Sequence, residues 1–224
     1  RWTERLELPA LPEMVFGDNT VRFEHVPSGW CLALSTYDAL ALVDKHHCDV
    51  EVAASKVWLA GKVAESGADT LEHLKRKAKA FDWTFTSTYT GTTNGADERR
   101  GVRDERIDMA LLQRREPILF FDDVVLFEDE LADNGTSTLS MKLRVMPSCW
   151  FALLRQFIRV DGVCFRVLDT RLFHRFGTAH VLREVQRREA SYAQLGRRLP
   201  RDPRKLGDEQ TMVPLLELVA EPRT

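Results

Sequence analysis

"SCWFALLRQFIRVDGVCFRVLDTRLF", residues 148–173, decides the fold of this chain. Two long apolar runs rich in Phe, Leu, Ile and Val flank Asp161-Gly162. Asp-Gly between two such runs is the signature of a β-hairpin closed by a two-residue turn. Immediately upstream the arrangement repeats. "ILFFDDVVLFEDEL" (118–131) leads through "ADNGTS" (132–137) into "TLSMKLRVM" (138–146), where Leu139, Met141, Leu143 and Val145 alternate with Ser140, Lys142 and Arg144. Side chains alternate faces along a strand, so this is a second hairpin, turned at Asn134-Gly135.

The same alternation extends toward the N-terminus. "PALPEMVFGDN" (9–19) reads as an extended approach and a turn. Val21, Phe23 and His25 alternate with Arg22 and Glu24, "VPSG" turns, and "GWCLALS" (29–35) returns as a strand. "TYDALALVDKHH" (36–47) is expected to form a helix of about three turns, capped by Thr36, with Asp38 in its first turn and Ala39, Leu40, Leu42 and Val43 on its apolar stripe. "DVEVAAS" (49–55) suits a strand, and "TLEHLKRKAKA" (70–80) has helical composition with a basic face. "DWTFTSTYTG" (82–91) predicts a strand with Trp83, Phe85 and Tyr89 toward the core and threonines toward water. The polar stretch at 91–106 is expected to be a mobile loop.

Asp108 is placed to cap "MALLQRRE" (109–116), bounded by Pro117. "AHVLREVQRREASYAQL" (179–195) reads as a strand, a helix, or one running into the other. A proline-broken basic loop (197–209) and the apolar "MVPLLELVAE" (212–221) close the chain. Hairpins with helices between them predict an α+β protein, a single domain over residues 1–224 built on antiparallel sheets with a few flanking helices.

Bulk properties narrow the function. With 224 residues, 44% hydrophobic, the chain can bury a sizeable core without staples. A formal net charge of -2 gives no overall pull toward nucleic acid or membrane, and no apolar run approaches the roughly 20 residues of a membrane span. The chain begins at Arg1 rather than Met, as a fragment or a processed chain does. Cys31, Cys48, Cys149 and Cys164 lie far apart in apolar surroundings with no zinc-like spacing, which reads as reduced buried thiols in a cytoplasmic protein, ahead of the alternative of two disulfides in a secreted one. GxxxxGK[ST], GxGxxG, GxSxG, HExxH and SxxK are absent.

Two charged constellations stand out. Asp122, Asp123, Glu128, Asp129, Glu130 and Asp133 form an acidic run without an intervening Lys or Arg. By simple strand parity Asp123 and Asp129 share one face while Asp122, Glu128 and Glu130 take the other. A solvated edge or turn therefore fits better than a metal site, whose ligands must converge. Residues 144–205 carry 14 Lys/Arg against 5 Asp/Glu. That stretch suits a nucleic-acid-binding module or, equally, a surface pairing with an acidic protein partner. His46, His47 and Asp49 lie together, but adjacent histidines diverge on a helix and fit a surface helix end.

"LPEMVFGDN", "DWTFTSTYTG", "FFDDVVLFEDELADNGTSTLSMKLRVMPS", "LRQFIRVDGVCFRVLDTRLFH" and "LREV", in this order across residues 8–192, resemble the Tip-forty-one-like (TIPRL) family of TOR signalling regulators. The resemblance implies a non-catalytic protein, without metal or cofactor, that binds and restrains the catalytic subunits of type 2A-like serine/threonine phosphatases. It also implies contact with the phosphatase's C-terminal tail and a link to a phosphatase-associated protein of the Tap-forty-two type. Nucleic acid and membrane are not partners on this reading. By motif, the partner-facing residues it implies are Asp38 in "TYDAL", Ile107 in "DERID", Val167, Asp169 and Arg171 in "FRVLDTRLFH", and Val185 in "LREV". Each has a plain structural alternative. Asp38 can cap a helix, Ile107 can anchor a loop, and Asp169 can pair with Arg171 or Arg166. The chain departs from the family at Val167, where Met is frequent, and at Val185, where Tyr is. The family's N-terminal segment is absent from it.

Overall fold

A computed structural model describes residues 2–8, 11–43, 88–94, 104–131 and 133–219. Among them the strands are β1 (Met14–Val15), β2 (Thr20–His25), β3 (Trp30–Ser35), β4 (Thr92–Thr93), β5 (Phe120–Asp129), β6 (Gly135–Val145), β7 (Cys149–Val160), β8 (Cys164–Arg175), β9 (Leu182–Ser191) and β10 (Glu217–Leu218). The helices are short: α1 (Trp2–Leu6), α2 (Thr36–Ala41), α3 (Met109–Leu112), α4 (Tyr192–Leu195) and α5 (Glu209–Met212). Strands that follow one another through short turns pair antiparallel. They form a seven-stranded sheet in the order β1-β5-β6-β7-β8-β9-β10 and a three-stranded sheet β2-β3-β4. The fold is α+β, as the hairpin pattern predicts.

Both central turns depart from their sequence reading, and the departures set the register. Val160 pairs with Cys164, so the loop holds three residues, Asp161 to Val163, not two. Gly162 takes φ 74°, which glycine adopts without strain, inside a turn closed by Val163 N–H donating to Val160 O at 3.0 Å. With the extra residue, Arg155 lies opposite Asp169; a two-residue turn would have set it opposite Leu168. In the other hairpin, between β5 and β6, the left-handed residues among the described ones are Leu131 (φ 52°) and Asp133 (φ 64°), not Asn134. Gly135 opens β6 instead. A Cβ there would overlap the carbonyl oxygen of Arg159, so its role is close backbone approach.

β5 also carries a bulge. Val125 pairs with Ser140 and Phe127 with Leu139, leaving Leu126 unpaired between them. One inserted residue exchanges the faces beyond it. Simple parity therefore fails for the acidic run. Asp122 and Asp129 share one face, and Asp123 and Glu128 the other. Asp129 is buried and accepts from the backbone N–H groups of Glu13 (3.1 Å) and Leu131 (2.7 Å).

One face of the large sheet is predominantly apolar in its middle, with Gln156 and Thr170 buried among its residues. Phe127, Leu139, Met141, Ala152, Leu154 and Leu172 pack there against Leu32 and Leu34 of β3, Ala39 and Leu40 of α2, and Tyr89. Phe23 stacks on Trp150 with centroids 4.0 Å apart. α2 is shorter than expected: it ends at Ala41, and its cap is Ser35, whose Oγ accepts from the Asp38 N–H. Thr36 instead donates from Oγ1 to the Asn19 carbonyl.

Of the stretch 82–91, residues 82–87 lie outside the described residues and 88–91 form no strand; pairing begins at Thr92. Tyr89 is buried, as its place on the aromatic side predicts, donating to Ala33 O and accepting from Ser35 N–H, each at 3.0 Å. The segment 91–106 is tied down at its start, because Asn94 accepts from Cys31 N–H and donates to Gly29 O. Its residues 95–103 lie outside the described residues, as do the expected strand at 49–55, the expected helix at 70–80, Cys48, His46, His47, Asp49 and His73.

Asp108 does cap α3, although that helix ends at Leu112 rather than at Glu116. The ambiguous stretch 179–195 is a strand running into a helix, joined by a capping box between Ser191 and Gln194. Cys31, Cys149 and Cys164 are free, buried thiols. No helix among the described residues is long and apolar enough to cross a membrane.

Candidate functional site

The second face of the large sheet is apolar only at its two ends. At one end Phe157, Phe165, Val167 and Ala190 pack under Leu195, Met212 and Leu216 of the C-terminal segment. At the other, Cys149, Phe173 and Leu182 pack under Ile107 and Leu111. Between them the strand registers align two polar rows. Ser140, Arg155, Asp169 and Gln186 form one; Asp123, Lys142, Leu153, Arg171 and Glu184 form the other.

Arg155 and Asp169 are the centre of this belt. The guanidinium donates from Nε to Asp169 Oδ1 at 2.7 Å and from Nη2 to Oδ2 at 2.8 Å, a bidentate pair. The Asp169 side chain is 1% exposed and that of Arg155 13%. Burial pulls the Arg155 guanidinium down, but the hydrogen bonds and charge of Asp169 outweigh it, and the net shift is upward. Arg171 Nη2 reaches Asp169 Oδ2 at 3.4 Å, and Glu209 of α5 approaches Arg155 Nη1 at 3.5 Å. Burial raises the Glu209 carboxyl above its ordinary value, against the pull of Arg155. In the same row, Ser140 Oγ and Gln186 Oε1 are buried with no hydrogen-bond partner among the described residues.

Beside the belt a groove of about 420 Å³ opens on this face, lined by Glu128, Glu130, Asp133, Asp161 and Glu209 together with Arg159. The acidic run thus splits three ways: into this groove, into the core at Asp129, and onto the outer part of β5. Among the described residues no group of three or more His, Cys, Asp or Glu side chains is disposed to hold a metal.

The arginines of residues 144–205 are largely committed within the fold. Arg159 pairs with Asp161, Arg166 with Glu189, Arg198 with Glu217 and Arg204 with Asp202, while Arg188 donates to Leu216 O. They are spread over both faces and the C-terminal turns. A continuous basic surface for a nucleic-acid backbone is not what they build.

The residues singled out from the sequence divide between the two sides of the sheet. Val167, Asp169 and Arg171 lie on the belt face, with Val167 fully buried. Ile107 is buried beside them, its N–H donating to Glu184 Oε1 at 2.8 Å. A second tie, from Glu105 to His180 at 3.1 Å, holds the same segment. Val185 projects from β9 on the opposite face, between Arg183 and Arg187. Asp38 is on that side too, in α2, where its carboxylate accepts from Thr92 Oγ1 at 2.6 Å rather than capping the helix. Asp169 does pair with Arg171, but its main partner is Arg155; Arg166 pairs with Glu189 across the sheet.

Arg155, Glu184 and Glu209 escape a reading of the sequence. A signal existed for the first. Arg155 is a lone charge in an apolar run and stands seven residues before Gly162, as Asp169 stands seven after it.

A polar belt centred on the Arg155–Asp169 pair, between two covered apolar ends, marks this antiparallel sheet of an α+β protein. The chain belongs to the TIP41-like family, whose model matches residues 14–196. It is 43% identical to the human TIP41-like protein over 194 residues, covering 86% of this chain and 69% of the human one. It is 39% identical to the Dictyostelium discoideum TIP41-like protein over 228 residues, covering 97% and 80%. It is 35% identical to a Saccharomyces cerevisiae protein named type 2A phosphatase activator TIP41 over 198 residues, covering 84% and 56%.

Proposed function

We propose that this chain is a non-catalytic regulator that binds the catalytic subunit of a type 2A-like protein phosphatase. The name of the yeast relative supports the partner class. The observation that carries the binding mode is the outer side of β9. β10 pairs only with Arg188 and Glu189, and Val219 N–H adds one bond to Arg187 O. From Leu182 to Gln186 the backbone therefore has no strand partner beyond β9 among the described residues. An exposed strand edge accepts an extended peptide as a further strand. Val185, flanked by Arg183 and Arg187 on one face, gives this edge an apolar contact and a basic character that suit an acidic tail.

The belt then acts as the frame. Asp169, Arg155 and Arg171 fix the neighbouring strand, Glu184 anchors the 104–112 segment through Ile107, and Asp38 fixes the small sheet. On this reading these residues position the partner surface, and Val167 does so from the core. A cytoplasmic setting is part of the proposal and is supported by the three free, buried thiols. A link to TOR signalling through a Tap-forty-two-type protein belongs to it as an extension of the family resemblance.

The test is co-precipitation of purified phosphatase catalytic subunit, with and without its C-terminal tail, by the chain and by its R183E/R187E variant. Retention of the full subunit, with weaker retention of the tailless one and of the variant, is expected. Equal retention of both subunits would reject the tail contact and leave the partner intact; retention of neither subunit in any arm would reject the partner. Phosphatase activity with excess chain gives the sign of regulation. A fall means the restraint that the resemblance implies, and a rise means activation, as the yeast relative's name has it.

A further inference from the structure

The opposite edge of the sheet is open too, and it has a different chemistry. β1 covers β5 only at Phe127 and Glu128, with one more bond from Phe16 N–H to Leu126 O. From Ile118 to Val125 the outer side of β5 has no strand partner among the described residues. Soluble proteins normally blunt such an edge with charge, proline or a cover. Here four consecutive large apolar residues stand open along it: Ile118 at 55%, Leu119 at 63%, Phe120 at 51% and Phe121 at 53% exposure.

The two sides of this edge are not equivalent. Phe120 projects on the face where Val145, Trp150 and His174 follow in register, and all three are only half-buried. Phe23 stacks on Trp150, so the open apolar part of this row is its outer end, Phe120 and Val145. Asp122, two residues on, projects on the same face. Asp123, on the other face, is neutralised by Lys142 at 2.9 Å. Asp122 makes only a local bond, accepting from the Asp123 backbone N–H at 2.9 Å, and has no cation partner among the described residues.

We infer that the β5 edge from Ile118 to Asp123 is a second strand-addition site, which takes an extended segment of a partner protein carrying a large apolar residue and a Lys or Arg two positions apart. The spacing follows from the geometry. In an added strand, residues two apart share a face, so one side chain settles beside Phe120 and Val145 while the next on that face meets Asp122. A second copy of this chain is a poor occupant, because its own stretch Ile118–Asp123 offers two carboxylates and no cation.

The test uses fluorescein-labelled nine-residue peptides of alternating valine and threonine with a central phenylalanine. One peptide carries Lys two residues from the phenylalanine, and another carries Glu there. Binding to the chain is read by fluorescence anisotropy at low salt. The Lys peptide is expected to bind about fivefold more tightly than the Glu peptide. Asp122→Lys, an exposed change, should reverse that order, and Phe120→Ser should weaken both peptides about tenfold.

Absence of binding by either peptide would overturn the inference, as would a preference unchanged in D122K. A concentration-dependent dimer in sedimentation that F120S abolishes would overturn it too, by assigning the edge to a second copy. The R183E/R187E variant should bind these peptides normally, so the two edges fail or stand separately.

Discussion

The same five strands build two faces of the large sheet, and those faces are held together by different physics. One buries Phe127, Leu139, Met141, Leu154 and Leu172 in a mainly apolar layer that holds neutral Gln156 and Thr170 but no ion pair at its centre. The other interrupts its apolar ends with Arg155, Asp169, Arg171 and Glu184. An apolar layer tolerates repacking and loses stability in proportion to what is removed. A buried ion pair behaves otherwise. It adds little net stability when intact, yet removing one member strands the other's charge in a dry place. A slip of register would part Arg155 from Asp169 and carry that same cost.

The comparison breaks most directly at its centre. Asp169→Ala should destabilise the protein by about 3–5 kcal/mol in urea unfolding, because Arg155 keeps its charge and loses both strong acceptors. The pair R155M/D169L should recover most of that loss. If D169A instead behaves like a surface change, the belt is solvated and the contrast between the faces disappears. Leu154→Ala, on the apolar face, should cost about 2–5 kcal/mol, with no double variant able to restore it except one that refills the cavity.

Two smaller effects sharpen the contrast. Arg166→Ala removes a pair whose side chains are 39% and 40% exposed, so thermal unfolding should move by the equivalent of less than about 1 kcal/mol. Glu209 gives the pH test. Its carboxyl is raised, chiefly by burial, so the folded protein holds this proton more tightly than the unfolded chain does. Its stabilising contribution is complete below the ordinary carboxyl value and is lost as pH rises through the raised one. E209Q should therefore gain stability relative to the parent across that interval. A parent and variant whose difference stays constant with pH would show that Glu209 is solvated.

The meander was legible because alternation and turn dipeptides are local signals. "TLSMKLRVM" shows its pleat in its letters, and "VPSG" between two short runs marks β2 and β3. Register was not legible. Asp-Gly marks a turn without fixing its length, and the third loop residue, Val163, decides what faces Arg155. The bulge at Leu126 leaves no local mark, so the acidic run was divided between faces wrongly. Asp38 and Ile107 could be singled out by family resemblance, but their partners, Thr92 and Glu184, lie 54 and 77 residues away and belong to the tertiary fold. Glu209 reaches Arg155 from a C-terminal segment beyond the family match, and no short-range pattern ties the two together.

The loop Asp161–Gly162–Val163 works as a length gauge. Deleting one residue from it would leave composition, charge and both apolar runs almost untouched. Yet it would slide the return strand by a single notch, turning Asp169 and Arg171 into the apolar face and bringing Leu168 and Leu172 onto the ionic one. Spacing at this one corner, more than the identity of any residue in it, carries the instruction for which surface the protein shows to its surroundings.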